Sequence, residues 1–406
     1  MTSPISKFVG CGRSMWWWIQ AYAFQAVVPC LLLLHGCGTE APTAVSLPPP
    51  ERLYITVLDH LDPEWPGRGR DIFDTIAQHR AMAYGLILSA ECNRIRRSSE
   101  QGHTSYMEAC TRWLLANSDM DQDGIHGFGL ADPWDAFQDQ SVNTAHHEYT
   151  ITSSIAIMGL LDMLELGPDT DMRSDILRVV RLCIGPYMDP MHDSPAGIPA
   201  YSLATEDARY DVFNPAVMIA GQMMRFSTLL PPGAERDSLR QRATGIMKVV
   251  QSHHLRDPQG FIYWNYGAQE PLQRPNDLVH AAYMVEGMRA YLRHGGDLDL
   301  EWSEITGHLY SFRKDDEWFE YPQIARRFKG ARPRLWALGM LMYALAQEGD
   351  HASIDDTLLP QLAQYHDGEG HFRFKVDDDR RLVRHDAHLL LGLSHHLFRM
   401  NDQAGR

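Results

Sequence analysis

The sequence predicts an all-α fold, and three observations support this prediction. Apolar residues recur with helical spacing along most of the chain, whereas the alternation typical of half-buried strands is scarce. Short links such as LPPGAE (Leu230 to Glu235) alternate with much longer connections. Helices after long connections, such as ITSSIAIMGLL, are apolar on nearly all sides, whereas their partners, such as AERDSLRQRATGIMKVV, carry a polar face. Inner and outer helices that alternate in this way around a ring form an α/α toroid, here a complete or incomplete six-hairpin barrel.

Helix caps and helix breakers divide the body of the chain into its elements. The predicted helices cover residues 71–97, 104–117, 144–165, 171–184, 215–229, 234–253, 278–294, 299–311, 334–347, 354–365 and 386–399. Their odd number leaves one hairpin incomplete, and segment 51–63 is the candidate for the missing helix. All long connections then lie at one end of the ring, where functional residues are expected.

The N-terminal residues resemble a bacterial lipoprotein signal. Lys7 and Arg13 precede a long apolar run that ends in LLLLHGC, and Cys37 is the residue that such a signal would present for lipidation. His35 departs from the small residue expected at its position. The predicted organisation is therefore a signal peptide over 1–37, a linker over 38–60 and a toroid domain over 61–406, exported to the periplasm or cell envelope and lipid-anchored. An uncleaved anchor helix or ordinary cleavage nearby are the alternatives.

Composition and charge exclude several classes of function. The chain has 406 residues, of which 44% are hydrophobic and 22% charged, so it can bury a sizeable core. Its net charge of −15 argues against a nucleic-acid partner and against a general anionic-membrane surface. The absence of a GxSxG motif, a Walker loop or a strand-linked GxGxxG motif predicts no organic cofactor. Nothing in the sequence indicates an oligomeric state.

The cysteines of the body predict one disulfide. Cys92 and Cys110 fall on consecutive predicted helices separated by a short turn, so a bridge between them is expected in an oxidising compartment. A thiolate zinc site is not expected, because the sequence contains no CxxC pair.

Histidines follow a polar cap at the starts of several predicted inner helices. The positive dipole potential at a helix N-terminus opposes protonation of imidazole, and neutral imidazole can act as a general base. If the starts converge at one end of the ring, these side chains form one site. The alternative is a set of ordinary caps with histidines packed against loops. The candidate catalytic residues of this pattern are Asn143, His146 and His147, then Asp277 and His280, then Asp386 and His388.

Basic and aromatic residues in the long connections are candidates for ligand binding. Arg332 and Arg334 belong to a basic cluster with Arg326, Arg327 and Lys329, and arginine binds carboxylates in a bidentate manner. A solvated loop that balances nearby acids is the alternative. Asn214 precedes Pro215, which is typical of a helix cap, although a role in binding stays open. Aromatic faces suit sugar CH surfaces, and the aromatic residues of these connections are Trp134, Phe137, Tyr201, Tyr210, Tyr263, Trp264, Tyr266, Trp318 and Tyr321.

One acidic turn is typical of the start of a calcium-binding loop. Asp119, Asp121 and Asp123 are followed by Gly124 in the pattern DxDxDG. The complete motif requires a glutamate at its twelfth position, where this chain has Leu130. A structural calcium ion and a tight acidic turn without metal are both consistent with this pattern.

The layout resembles the α/α-toroid superfamily of six-hairpin glycosidases, polysaccharide lyases and uronyl epimerases. Asn143 followed by His146, His147 and Tyr149 is similar to the stretch that opens an inner helix in alginate-lyase-type enzymes, although Thr144 and Ala145 change the spacing. The resemblance implies proton abstraction next to a uronate carboxylate in an acidic polysaccharide. Asn143 and Arg334 would then stabilise the carboxylate, His147 or His146 would be the base, and Tyr149 or Tyr263 would donate a proton.

Two other functions remain open at this point. A glycoside hydrolase would use a carboxylate pair drawn from Asp277, Glu148, Asp135 and Asp386. A non-catalytic lipoprotein of a polysaccharide secretion system would use the same ring as a glycan-binding platform. In every case the expected partner is a polysaccharide.

Overall fold

The computed structural model describes residues 47–72, 76–98, 103–325 and 330–398. Helices dominate these residues. Their bounds are α1 Pro50–Leu58, α2 Ala81–Arg97, α3 Ser105–Ala116, α4 Thr150–Leu166, α5 Thr170–Ile184, α6 Phe213–Leu229, α7 Ala234–Ser252, α8 Leu278–Arg293, α9 Trp302–Tyr310, α10 Leu335–Gln347 and α12 Val383–Leu397. Between α10 and α12, α11 is a run of short consecutive pieces, His351–Ser353, Ile354–Leu358 in π form, Leu359–Leu362 and Ala363–Tyr365.

The even-numbered helices form a closed inner ring. Packing runs from α2 to α4, α6, α8, α10 and α12, and α12 packs against α2. These helices are buried on almost every side, as α4 illustrates, where Ile155, Leu160 and Leu161 have no exposed surface although they point in different directions. The predicted α/α toroid is therefore confirmed, and within the described residues its ring is complete.

The odd-numbered helices form the outer layer, and α1 supplies the helix that the ring otherwise lacks. It packs against α12 and buries Leu53, Tyr54 and Val57. The Tyr54 hydroxyl donates a hydrogen bond of 2.7 Å to Glu91 in α2. Segment 51–63 was the candidate for this place, but the linker predicted over 38–60 is wrong from residue 50 onward, because apolar spacing there forms a packed helix rather than a spacer.

Glycine pairs set the closest approaches within the ring. Gly85 of α2 faces α4, where a Cβ atom on Gly85 would lie 2.6 Å from the carbonyl oxygen of Ile155. Gly221 of α6 faces α8 in the same way, because an added Cβ atom would lie 2.5 Å from the carbonyl oxygen of Gly287. Gly339 and Gly392 form the equivalent contact between α10 and α12. The inner ring is thus built from three tightly packed helix pairs, which require glycine where the backbones touch.

Long and short connections segregate to opposite ends of the barrel. Inner helices continue into outer helices through the links 98–104, 167–169, 230–233, 294–301 and 348–350. Outer helices return to inner helices through the connections 59–80, 117–149, 185–212, 253–277, 311–334 and 366–382. Three of these connections contain antiparallel hairpins, β1 Arg68–Gly69 with β2 Gln78–His79, β3 Leu255–Arg256 with β4 Ile262–Tyr263, and β5 Arg313–Lys314 with β6 Glu317–Trp318. We call the end that carries these connections the long-loop end.

Several inner helices begin at positions that differ from the prediction. The helix predicted from residue 144 begins at Thr150, because the preceding residues pair with the same connection, Asn143 with Trp134 and Glu148 with Gly129. The helix predicted from residue 71 begins at Ala81, after the β1–β2 hairpin. The helix predicted from residue 386 begins earlier, at Val383.

The predicted Cys92–Cys110 disulfide is wrong. Both thiols are free and buried, as is that of Cys183. Burial raises the pKa of Cys92, which is influenced next by Asp162 of α4, whereas the pKa of Cys110 is raised by burial and then by Glu91 of α2. The two side chains therefore have different surroundings, although they lie on consecutive helices.

No helix in the described part of the chain is long and apolar enough to cross a membrane. The predicted signal peptide and its lipidation residue Cys37 lie outside the described residues, as do Arg326, Arg327 and Lys329 of the basic cluster.

Candidate functional site

Aromatic side chains link the starts of the inner helices at the long-loop end. The ring of Tyr149 lies 5.5 Å from that of Tyr201, and the hydroxyls of Tyr201 and Tyr266 are close enough to influence each other's pKa. Tyr266 lies 5.0 Å from His280, and His280 lies 6.2 Å from Tyr283. Residues from the connections before α4, α6 and α8 therefore meet at one opening, as the loop pattern predicts.

Asp277 and His280 form a pair at the start of α8. Asp277 is the N-cap, and its carboxylate accepts a hydrogen bond from the backbone N–H of His280, as predicted. The same oxygen, Oδ1, lies 2.6 Å from Nδ1 of the imidazole. Since 22% of the His280 side chain is exposed, the ring is fixed on one side and accessible to a ligand.

Arg334 connects this pair to a second carboxylate. Its Nη2 donates to Asp277 Oδ2 at 2.9 Å, and its Nε donates to Glu320 Oε1 at 2.6 Å. Burial alone would raise the pKa of Asp277, but His280 and Arg334 together hold it below its ordinary value. Burial raises the pKa of Glu320, and Arg334 offsets only part of this effect. At neutral pH the carboxylate of Asp277 is therefore ionised.

Two arginines flank Trp336 at the start of α10. The guanidinium carbons of Arg334 and Arg384 each lie 4.7 Å from the centre of its ring. Arg384 also donates to Asp71 at 2.9 Å, which ties the start of α12 to the connection before α2. The opening thus combines cationic and aromatic groups on a rigid support.

The histidines of α12 lie deeper than His280. His388 is fully buried, and its Nε2 lies 2.5 Å from the Tyr283 hydroxyl. Burial lowers its pKa to about 3, so the ring is neutral at neutral pH. His385 stacks on Trp336 with ring centres 4.9 Å apart, and burial lowers its pKa as well. The expected neutrality holds for these two rings, but its main cause is burial rather than the helix dipole.

Asn143 occupies a buried polar cluster next to Tyr149. Its amide donates to Asp207 Oδ2 at 2.8 Å, to Ser202 at 3.1 Å and to the Tyr149 hydroxyl at 3.2 Å. It is therefore not a helix cap, and a ligand would have to displace these partners to reach it. These contacts support Tyr149, the first of the linked side chains Tyr149, Tyr201 and Tyr266, which we call the tyrosine row.

His146 and His147 are not in the first turn of a helix, contrary to the prediction. They lie in a turn, where His146 has a φ of 68°. His147 is directed toward the acidic connection, with Nδ1 3.6 Å from Asp121 and from Glu148. The structure therefore brings together His280 and His388 of the predicted histidine set, but it places His147 in a different environment.

Other predicted site residues lie elsewhere. Trp264 is a core residue whose indole N–H donates to Val250. Arg332 is exposed and pairs with Glu317 at 3.0 Å. Asn214 is buried inside α6, which begins at Phe213, so it is not the cap. Tyr263 lies in β4, and no contact among the described residues joins it to His280. Trp134 is half-buried and pairs with Asn143.

The carboxylates considered for a hydrolase are dispersed or engaged. Asp135 accepts backbone hydrogen bonds from Asp139 and Gln140. Burial raises the pKa of Glu148 to about 8, and it faces the acidic turn. Asp386 is not a cap, since α12 begins before it, and burial raises its pKa to about 7. Asp277 is shared by His280 and Arg334.

The prediction missed important members of the site. Tyr201 and Tyr266 were only two of many aromatic residues in long connections, and the one shared signal is that each lies twelve residues before the first residue of an inner helix. Glu320 and Arg384 carried no motif. Only the packing of α10 against α8 and α12 identifies them.

Comparison with solved structures agrees with this fold. The chain is similar to the GH76A alpha-1,6-mannanase from Salegentibacter sp. HEL1_6, with 11% identity, 86% of this chain and 98% of that chain covered, and a TM-score of 0.55. The cellobiose 2-epimerase from Spirochaeta thermophila DSM 6192 has 11% identity and a TM-score of 0.53, and the match covers 86% of this chain and 96% of that chain. An unsaturated glucuronyl hydrolase specific for heparin has 9% identity and a TM-score of 0.56, and the match covers 86% of this chain and 95% of that chain. At such identities the similarity shows the α/α-toroid fold alone. No protein-family profile and no curated protein sequence matches the chain.

Proposed function

We propose that this protein is a carbohydrate-active enzyme that removes a proton from a sugar carbon next to a uronate carboxylate, with His280 as the general base. The observation that carries this proposal is the Asp277–His280 pair at the accessible opening of the barrel. The structural neighbours include enzymes named for glucuronyl and sugar-epimerising activities, which supports a carbohydrate substrate.

The pair is suited to proton abstraction because one nitrogen is fixed and the other is accessible. When Nδ1–H donates to Asp277, the unprotonated nitrogen is Nε2, which can accept a proton. The carboxylate of Asp277 also stabilises the imidazolium that forms. Asp277 is therefore the positioning residue, and His280 is the proposed catalytic residue.

Arg334 is suited to stabilise the negative charge that develops on the substrate. Nη1 of its guanidinium forms no hydrogen bond with the described residues, although Nε and Nη2 are engaged by Glu320 and Asp277. A uronate carboxylate at Nη1 would gain a charge-assisted hydrogen bond next to His280. The starts of α8 and α10 add positive dipole potential at the same place.

Tyr266 is the proposed proton donor. Burial raises its pKa and that of Tyr201, so both hydroxyls stay protonated at neutral pH. Tyr266 is also the tyrosine whose ring lies 5.0 Å from His280. It replaces Tyr149, whose hydroxyl is engaged by Asn143, and Tyr263, for which the described residues show no contact with His280.

A hydrolase mechanism receives less support from the same geometry. It requires one carboxylate as acid and a second as base or nucleophile. Arg334 binds both Asp277 and Glu320, so neither is a free nucleophile.

The test uses a panel of uronate polysaccharides in D₂O. Solvent deuterium at C5 of recovered sugar, measured by NMR, reports proton abstraction, and ultraviolet absorbance of an unsaturated uronate separates elimination from epimerisation. His280→Ala is expected to lose on the order of a hundredfold to ten-thousandfold of the rate. His253→Gln, at an exposed histidine after α7, is the control and should keep the wild-type rate. Glycan binding without exchange or cleavage would contradict the proposal and favour a binding platform.

Export by the lipoprotein route is part of the proposal. The apolar leader and Cys37 support it. Cys37→Ser should leave unprocessed precursor in a bacterial host, which immunoblotting of membrane fractions detects. Unchanged processing and membrane fractionation of the variant would contradict lipidation.

A further inference from the structure

The α3–α4 connection contains an acidic turn that winds around a common centre. Asp119, Asp121 and Asp123 alternate with other residues, and the chain turns sharply where Gln122 has a φ of 62° and Gly124 a φ of 86°. The backbone N–H of Ile125 donates to Asp123 at 2.7 Å. This is the arrangement of the first half of a calcium-binding loop, in which the first, third and fifth residues provide carboxylates.

Glu148 lies where the sequence motif lacks its final ligand. Position twelve of the loop is Leu130, but the neighbouring Gly129 pairs with Glu148 across an antiparallel bridge. Glu148 is fully buried, and neither of its carboxylate oxygens has a hydrogen-bond partner among the described residues. A glutamate from the next segment of chain therefore reaches the same centre as the loop carboxylates.

The side-chain atoms of this cluster are close enough to share one ion. Ligand atoms of Asp121, Asp123, His147 and Glu148 all lie within 4.8 Å of one another. One oxygen each of Asp119 and Asp121 is also buried without a partner. A buried, unpaired carboxylate is unfavourable unless a cation neutralises it. In the described part of the chain, no arginine or lysine forms an ion pair with Asp119, Asp121, Asp123 or Glu148, and the ion-pair contacts of Asp121 and Glu148 are with His147.

We propose that Asp119, Asp121, Asp123 and Glu148 bind one calcium ion. The three carboxylates of the turn and the carboxylate of Glu148 match the preference of calcium for oxygen ligands, and Glu148 can bind with both oxygens. In a loop of this kind the seventh residue, here Ile125, adds its carbonyl oxygen. His147 borders the site, but its nitrogen is a poorer ligand for this hard cation.

The ion holds the acidic turn against the start of α4. This segment already joins Tyr149 N–H to the Phe128 carbonyl at 3.0 Å and Phe128 N–H to Ser153 at 2.9 Å. Tyr149 is the first member of the tyrosine row at the opening. Calcium therefore stabilises the support of the candidate site without contacting a substrate, and this inference does not depend on the proposed reaction.

Thermal unfolding of the chelator-treated full-length protein tests the site. Addition of CaCl₂ is expected to raise the melting temperature, because calcium at a hundredfold excess over its dissociation constant increases the folded-to-unfolded ratio about a hundredfold. Isothermal titration should show one ion per chain. Glu148→Gln should unfold like wild type in chelator, because the amide has the shape of the carboxyl group, and should gain no stability from calcium, because it lacks the ligand. The control Glu64→Gln, at an exposed acid with the same charge change, should respond like wild type.

Three outcomes would overturn the proposal. The wild-type protein could show no response to calcium, or Glu148→Gln could keep the full response. Alternatively, Zn²⁺ or Mn²⁺ could stabilise the protein where calcium does not, with the effect lost in His147→Ala, which would assign the cluster to a transition metal.

Discussion

Both ends of the barrel carry buried charged groups, but they use them differently. At the long-loop end, buried polar atoms without a partner are frequent, and they include both oxygens of Glu148, Nε2 of His385 and the side chain of Asn276. At the opposite end, which carries the short links, the buried charges form ion pairs. Arg225 of α6 binds Asp162 and Glu165 of α4, each at 2.7 Å. Arg289 of α8 binds Glu286 and also Glu348, at 2.7 and 3.0 Å.

Helix direction explains part of this difference. All inner helices end at the short-link end, where the negative end of the helix dipole favours arginine, and they begin at the long-loop end, where positive potential favours anions. Paired charges rigidify the short-link end, whereas the long-loop end combines ion pairs, such as that of Arg334 with Asp277, with unpaired groups that are available to a ligand. The comparison indicates that the short-link end contributes mainly to stability, whereas the proposed site lies at the other end of the same helices.

The largest effect on stability is expected at the short-link end. Arg225→Met leaves Asp162 and Glu165 without their shared cation, so the free energy of unfolding should fall by about 3–5 kcal/mol. Urea unfolding measures this loss. The control is Arg178→Met, which removes an exposed ion pair with Asp175. It should change the free energy of unfolding by less than about 1 kcal/mol. Equal effects of both variants would contradict the distinction between the ends.

The second effect is on the proposed reaction rather than on stability. Asp277→Asn keeps a good N-cap but weakens the hold on the His280 tautomer, so the rate should fall on the order of tenfold to a hundredfold. Deuterium exchange and thermal unfolding should be measured together. Asp169→Asn makes the same change at the N-cap of outer helix α5 and should leave the rate unchanged. A rate loss that only follows lost folding would remove the positioning role.

The third effect concerns the helix crossings between the two ends. Gly85→Ala places a Cβ atom 2.6 Å from the backbone oxygen of Ile155, so the free energy of unfolding should fall by about 1–3 kcal/mol. Gly245→Ala, in outer helix α7 with open space around it, should instead stabilise the protein by about 0.5–1 kcal/mol. The same sign for both variants in urea unfolding would contradict close packing as the reason for the glycine.

The smallest expected effect is a dependence of stability on pH below neutrality. Burial lowers the pKa of His308 from 6.5 to about 4, so the folded state favours the neutral ring. The contribution of His308 is complete above pH 6.5 and is lost as the pH falls toward 4. His308→Leu should therefore flatten this part of the stability profile, measured by unfolding at several pH values. His253→Gln, at an exposed position, should leave the profile unchanged, and an unchanged slope in His308→Leu would show that other groups dominate.

Sequence reasoning was most reliable for the outer helices and for the alternation of helix types. The predicted helices 171–184 and 234–253 match the outer helices α5 and α7 within one residue at each end. Asp277 was identified as a cap because an N-cap and the backbone it binds lie within one helical turn. These features depend on neighbouring residues, so the sequence alone contains the information.

Predictions failed where a segment pairs with residues more than a helical turn away in the sequence. The local pattern around Asn143, His146 and His147 predicts a helix start. The structure instead pairs this segment with earlier residues of the same connection, Trp134 and Gly129. The start of α12 shifts for a similar reason, because the N–H of Val383 donates to the carbonyl of Arg70. No local pattern reveals such partners.

The sequence by itself therefore determined the toroid, its two layers and the end at which a site would form, because helical spacing, caps and loop lengths are local properties. Only the tertiary structure decided which side chains meet there. It placed Arg334 between Asp277 and Glu320, brought Tyr266 to His280, and supplied Glu148 to the acidic turn in place of a residue at the twelfth position. The physical reason is that each of these contacts joins residues separated by far more than one helical turn in the sequence, so only the folded chain sets the distances between them.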